Sequence, residues 1–269
     1  MIYLLLTLFG GFSGVTTVLF GFGGGFVVVP VLYGVLISGA GGALAEQAAM
    51  HVAVATSTCV MIVNAALSTR RSARAGTLLK AWLWPLAGFI AAGSLVGAVA
   101  AGFVSGAALR VAFVVYLAIT IVDCLCRRGF VSPTFEGEPH RLSRWSVGPG
   151  GIAIGAIATF LGVGGSVMTV PLLRRCGLSM TKATSMANPL SLPVAVVGTA
   201  TYMLTGLGNT GLGAGYIGYV NLGAFAALTL GAWFGMRLAA RWVGRIPDQL
   251  HARAYVGLLA VVLVSMVLV

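Results

Sequence analysis

The sequence predicts an all-α polytopic membrane protein built from two inverted-topology repeats, each a broken glycine-rich helical hairpin plus three transmembrane helices. Three observations predict it: the composition, an internal duplication and the placement of the cations. The chain has 269 residues, 59% of them hydrophobic and 8% charged, with 39 glycines. A soluble domain carries roughly 25% charged residues and about 7% glycine. So few charges cannot cover a 27.5 kDa globule in water, and a mean hydropathy of +1.02 places most of the chain in lipid.

Taken in order, apolar stretches fall at 2–20, 26–37, 48–68, 82–103, 108–126, 147–161, 167–176, 183–204, 216–238 and 254–269. Six of them (48–68, 82–103, 108–126, 183–204, 216–238 and 254–269) are long enough to read as full membrane spans. The remaining four form two pairs, split by GFGGG at 21–25 and GVGGS at 162–166, where backbone entropy and missing side chains stop a helix. The polar stretch 127–146 reads as a cytoplasmic linker between an N-terminal repeat, 1–126, and a C-terminal repeat, 147–269. The opening MIYLLLTLFGG lacks a basic region and a small-residue cleavage site, so it is not expected to be a removable signal peptide.

The two breaks are copies. GFGGGFVVVPVL at 21–32 matches GVGGSVMTVPLL at 162–173 in 6 of 12 positions, at a separation of 141. Ala55-Thr56-Ser57 then matches Ala183-Thr184-Ser185 at 128, and Gly93-xxx-Gly97 matches Gly231-xxx-Gly235 at 138. Matches in one order indicate duplication.

Charge sets the relative orientation of the copies, because cytoplasmic loops collect Lys and Arg. Arg174, Arg175 and Lys182 follow the second hairpin, whereas 38–47 has no cation. Conversely Arg70, Arg71, Arg74 and Lys80 occupy 69–81, and 205–215 has none. Placing the N-terminus outside puts these clusters, the linker's Arg127, Arg128, Arg141 and Arg144, and Arg237, Arg241, Arg245 and Arg253 inside. Of the 16 cations only Arg110 is then external, which is what an inverted repeat predicts. The net charge of +11 is accounted for by these flanks, and no nucleic-acid partner is expected.

Non-helical backbone at membrane depth persists only where protein or a polar cavity satisfies it. After each break a short helix restarts and runs into Pro30 or Pro171, presenting free N–H groups and the positive end of its dipole. Gly23, Gly24 and Gly25 in one copy, and Gly164, Gly165 and Ser166 in the other, would clear side chains from an oxyanion site. Thr56, Ser57 and Thr58, with Thr184 and Ser185, are neutral donors that could complete it, although such hydroxyls also bond to their own helix. For Asn64 and Asn188 ligand contact and interhelical hydrogen bonding are both open. Gly93-xxx-Gly97 and Gly231-xxx-Gly235 are assigned to helix packing.

The acids lie away from the spans' centres: Glu46 in an outer loop, Glu136 and Glu138 in the linker, Asp248 in a cytoplasmic loop and Asp123 near Arg127 as its partner. His51 reads as an interfacial hydrogen bonder, and Lys182 as a positive-inside residue able to attract anions. Cys59, Cys124, Cys126 and Cys176 have no metal or redox spacing and read as small packing residues. No catalytic, metal or Walker motif is present, so neither an enzyme nor a cofactor is expected.

The duplicated hairpin, GFGGGFVVVP and GVGGSVMTVP, each followed by an Ala-Thr-Ser helix, resembles the sulfite exporter TauE/SafE family, also called the toluene sulfonate uptake permease family. The resemblance covers essentially the whole chain and departs from it at Ser166, which replaces the third glycine of the second hairpin. It implies a multi-pass protein of a bacterial inner membrane that moves small sulfur-containing or organic anions, such as sulfite or sulfonates, often outward. An anion channel of the same architecture and a non-transporting scaffold subunit are the alternatives. The partners expected are the small anion and the lipid bilayer, with homo-oligomerisation left open.

Overall fold

The structure is a computed structural model and describes residues 2–40, 48–126, 130, 142–207, 212–213 and 215–268. Glu46, Glu136, Glu138, Arg127, Arg128 and Arg141 lie outside the described residues. Helix α1 (Ile2–Phe20) ends at the first break, and α2 (Gly25–Val35) turns back from it, continuing into a π-turn at Leu36–Ala40. Then come α3 (Ala49–Arg74), α4 (Lys80–Ala101) and α5 (Gly106–Cys126). The second copy has α6 (Pro149–Leu161), α7 (Ser166–Arg175), α8 (Met180–Gly206), α9 (Leu222–Ala239) and α10 (Asp248–Leu268).

Both hairpins turn because glycine permits left-handed backbone. Gly21, Gly23 and Gly24 have φ of +76°, +64° and +93°, and Gly162 and Gly164 have +69° and +71°, values that strain any residue with a Cβ. Pro30 and Pro171 then sit inside α2 and α7, where each removes one intrahelical bond. The carbonyl freed by Pro171 is that of Val167, and the Tyr255 hydroxyl donates to it at 3.4 Å.

Six helices among the described residues are long and apolar enough to cross a membrane: Ile2–Phe20, Ala49–Arg74, Lys80–Ala101, Gly106–Cys126, Leu222–Trp242 and Asp248–Leu268. The expected set differs in two places. The first hairpin arm is itself a full-length span. Met180–Gly206, although 27 residues long, falls outside the apolar set; it carries Thr184, Ser185, Asn188, Pro189 and Pro193 and buries one long face against its neighbours. Helices α3 and α8 pack on each other at the centre, and the remaining helices surround them. The outer helices expose Leu4, Leu8, Val96, Ile119, Phe234 and Val261, an apolar face suited to lipid and unsuited to water.

Two further boundaries are corrected. The stretch 216–238 does not begin as helix: Tyr216–Ile217 and Val220–Asn221 pair as a two-stranded hairpin before α9. Gly218 turns it with φ +57°, and the Asn221 side chain accepts the Ala224 N–H at 2.8 Å, starting the helix one residue later. The last helix starts at Asp248 rather than 254, so Asp248 is not a loop residue. It pairs with the buried Arg174 and accepts the Met180 N–H at 2.8 Å. Asp123 pairs with Arg175, and its expected partner Arg127 is among the residues outside those described.

The outer helices associate in parallel pairs through glycine. Gly10 and Gly14 of α1 meet the backbone of Leu228 and Ala232 of α9; Gly93 and Gly97 of α4 meet Ile152 and Ala156 of α6. A Cβ at Gly93, Gly155 or Gly235 would lie 1.9–2.0 Å from a neighbouring carbonyl oxygen. These contacts correspond between the pairs: Gly155 meets Ile90 as Gly14 meets Ala232, and Gly93 meets Ile152 as Gly235 meets Gly11. The partner of Gly93 is thus Gly235, one helical turn from the match at 138. Each hairpin's first arm thus packs on the fourth helix of the other set of five, α1 on α9 and α6 on α4.

Candidate functional site

The two glycine breaks meet at the centre of the molecule, between α3 and α8. A Cβ on Gly25 would lie 2.6 Å from the Gly162 carbonyl oxygen. Gly23 and Gly164 face the same pair of side chains, Met61 of α3 and Ser191 of α8, each near the middle of its helix. Phe22 of the first break stacks on Phe26 at 4.6 Å and on Tyr255 at 4.7 Å. The Tyr255 hydroxyl reaches the backbone that begins α7, which joins the two breaks through one aromatic cluster.

Contacts around the breaks follow a regular correspondence. Gly162 lies on Val54 and Ser57, whereas Gly21 lies on Thr184 and Ala187; Gly24 lies on Asn64, and Gly165 approaches Val194. With Met61 and Ser191, each of these α3 and α8 pairs is 130 positions apart. The Ala-Thr-Ser match at 128 is therefore two residues out of register, and the two motifs do not place their hydroxyls alike. Ser57 Oγ lies 2.9 Å from the Gly162 carbonyl and 2.8 Å from that of Val54, so it does reach a break. Thr56 Oγ1 accepts the Asn221 N–H at 3.0 Å and ties down the β-hairpin. Thr58 bonds Ala55 and receives Thr199. Thr184 and Ser185 bond back to carbonyls of their own helix, the local alternative open to such residues.

Asn64 is fully buried, and neither its amide nitrogen nor its oxygen has a hydrogen-bond partner. It lies directly against Gly24, where a Cβ would fall 2.3 Å from Nδ2. Gly24 precedes the first residue of α2, its carbonyl accepting the Ser13 hydroxyl at 3.0 Å. Ser166, the first residue of α7, is likewise buried with its hydroxyl unpartnered, as are the hydroxyls of Thr159 in α6 and Thr169 in α7. A buried polar group without a partner costs about 1–3 kcal/mol, and Asn64 and Ser166 each carry that cost at the start of one of the two short helices. Such a place can receive a small acceptor-rich ligand through neutral donors and dipoles, without a fixed counter-charge to trap it.

Asn188 has a different setting. Its Nδ2 donates to the Thr17 carbonyl at 3.1 Å and to Ser68 Oγ at 2.8 Å, and its Oδ1 is buried and unpartnered. With Thr184 and Ser185 it lines a separate cavity of about 60 Å³ on the arginine-rich side of the first break. Met61, Ser191, Ser13 and His251 were not singled out in the sequence. The equal placement of Met61 and Ser191 in the two long central helices could have revealed that pair.

A lipid-facing helical shell around a buried, polar centre broken twice by glycine defines a polytopic membrane transporter. Residues 6–266 match the family model described as Sulfite exporter TauE/SafE, and the chain belongs to that family. It is similar to a protein of Haemophilus influenzae named "Probable membrane transporter protein", at 25% identity over 272 residues covering 98% of each chain. No solved structure matches the chain.

Proposed function

We propose that the chain is a secondary transporter of small sulfur-containing or organic anions, such as sulfite or sulfonates, and that it exports them across the bacterial inner membrane. The observation that carries this reading is the unpartnered Asn64 amide against Gly24, at the point where the two breaks converge. In the bound state the anion accepts from Asn64 Nδ2, from Ser166 Oγ and from the N–H groups opening α2 and α7. Supporting the inverted-repeat reading, α1 and α9 run parallel, α4 and α6 run parallel, and the break contacts correspond between copies. In this reading Met61 and Ser191 flank the pseudo-two-fold axis, and rocking of one half against the other gives access from alternate sides.

The test is flux of radiolabelled sulfite in proteoliposomes. Wild type shows saturable uptake and accelerated exchange against internal sulfite, which a channel does not show. Gly24→Leu and Gly165→Leu fill the space between the breaks and abolish flux. Asn64→Leu does so without inserting bulk at the backbone. Wild-type flux in all three variants overturns the site; flux without exchange replaces the carrier by a channel.

A further inference from the structure

The cavity on the arginine-rich side of the first break has walls that the hairpin reading does not use. Its lining includes Arg71 and Ser72 of α3, Thr184, Ser185 and Asn188 of α8, and His251 of α10. The volume of about 60 Å³ accommodates a few waters or one small oxyanion. It adjoins the break directly, since Val18 and Leu19 line it and Gly21 packs on Thr184.

His251 is 4% exposed, and its Nε2 lies 2.7 Å from the Leu19 carbonyl. A carbonyl oxygen only accepts, so Nε2 carries the hydrogen, and in the neutral ring Nδ1 is a bare acceptor. Nδ1 is buried and has no partner. Asn188 Oδ1, fixed as an acceptor by the two bonds that Nδ2 donates, is also unpartnered. Two residues of the chamber's lining thus carry orphan acceptors, Arg71 lines the same chamber, and the pair is short of a hydrogen. A proton on Nδ1 supplies it, and converts the wall from one that repels an anion to one that donates to it.

The charged and titratable groups around the ring are few. On its own helix are Asp248, Tyr255 and the exposed Arg253; from α7 comes Arg174, paired with Asp248; across the cavity from α3 stands Arg71, whose Nη2 donates to the Ala240 carbonyl at 2.8 Å. The face contributed by α1 is the Leu19 carbonyl and the Phe20 ring, with centroids 5.2 Å apart, and α8 contributes only hydroxyls and the Asn188 amide. His51 differs, since its Nε2 lies against two carbonyls, of Ala101 and Val104, far from this cavity.

We propose that this chamber binds one small oxyanion together with one proton: Arg71 and the Ser72 hydroxyl hold the anion, the hydroxyls of Thr184 and Ser185 turn from the carbonyls of their own helix to donate to it, and His251 Nδ1 carries the proton. The proton comes from water on the arginine-rich side, turns the neutral imidazole into imidazolium, and returns to water when the anion leaves. A monoanion then crosses with no net charge. The proposal rests on the reading that the chain carries anions, and identifies the proton as the coupling ion.

The experiment is calorimetric titration of the purified full-length protein with methanesulfonate in two buffers of different ionisation heat. Methanesulfonate keeps a single charge around neutrality, so any proton taken up belongs to the protein. Wild type should take up close to one proton per anion, with affinity falling about tenfold per pH unit above the imidazole titration. His251→Gln, which keeps a donor for Leu19, should bind without proton uptake and without pH dependence, and Arg71→Gln should bind at least tenfold more weakly. In protein labelled with ¹⁵N-histidine, methanesulfonate should move the His251 Nδ1 resonance to its protonated position and leave His51 unmoved, a readout independent of any variant's folding. Wild-type binding without proton uptake, an unmoved His251 resonance, or no methanesulfonate binding overturns the proposal. The two readings fail separately: flux lost in Asn64→Leu with proton uptake absent from wild type leaves the hairpin site and removes this one, and proton uptake lost in His251→Gln with flux intact in Asn64→Leu does the reverse.

Discussion

Asn64 and Met61 are the residues on which the proposed central site turns, and they make opposite predictions. An amide buried without partners is a stability cost that only a ligand or ordered water offsets. Asn64→Leu should therefore leave the purified protein as stable as wild type or up to about 1–3 kcal/mol more stable, while sulfite flux is lost. Thermal unfolding in detergent with flux on the same preparation checks both halves, and a large loss of stability would mean that Asn64 has a structural partner. Met61 instead fills the space between Gly23 and Gly164. Met61→Ala should cost about 2–5 kcal/mol as a core truncation and raise sulfite leak, measured without exchange. The glycines, Ser57 and Asn64 were legible in the sequence because chemistry and spacing mark them. Met61 was not, because a methionine in an apolar run has no signature until two breaks close on it. His251 was missed because the last helix was started six residues late, which left the histidine in a loop.

At the scale of helices, glycine has two uses here that the sequence alone blends. At the breaks a positive φ requires it; in α1, α4, α6 and α9 a neighbouring backbone does. Gly155→Ala should lower the unfolding temperature by several degrees, since a Cβ there lies 2.0 Å from the Ile90 carbonyl oxygen and forces α4 from α6. Gly88→Ala, on the same α4 with nothing within 4 Å, should be neutral or stabilising by up to about 1 kcal/mol. Equal effects at both sites would remove the packing argument. The existence of the helices was readable from hydropathy, and the breaks from their duplication. The register of the later repeat elements was not: Ala-Thr-Ser and Gly-xxx-Gly recur by composition, so a match two or four residues out scores as well as the true one. The short strands before α9 were hidden for a related reason, since Tyr216, Ile217 and Val220 are apolar enough to pass for the start of a span.

For the whole molecule the question is which end faces the cytoplasm. The arginine-rich ends meet physically: Arg71 bonds Ala240, Arg174 pairs with Asp248 and bonds the Phe130 carbonyl, and Arg175 pairs with Asp123. Arg110 stands at the opposite end, where its Nη2 donates to the carbonyls of Met266 and Val267 at the close of α10 and its guanidinium lies 5.6 Å from the Tyr33 ring centroid. A cation on the last carbonyls of a helix is stabilised by the dipole there, so this arginine has a structural reason to break the charge pattern. The pattern then predicts Ser105 outside and Arg144 inside, because α4 and α5 rise from and return to the arginine-rich end. In a cysteine-free background, a membrane-impermeant maleimide on intact cells should label Ser105→Cys and spare Arg144→Cys, and inside-out vesicles should give the reverse. Labelling of both positions from one side would break the repeat reading, since an odd number of crossings separates them. Labelling with the sides exchanged would keep the fold and invert the orientation. It would also place the His251 chamber on the outer face.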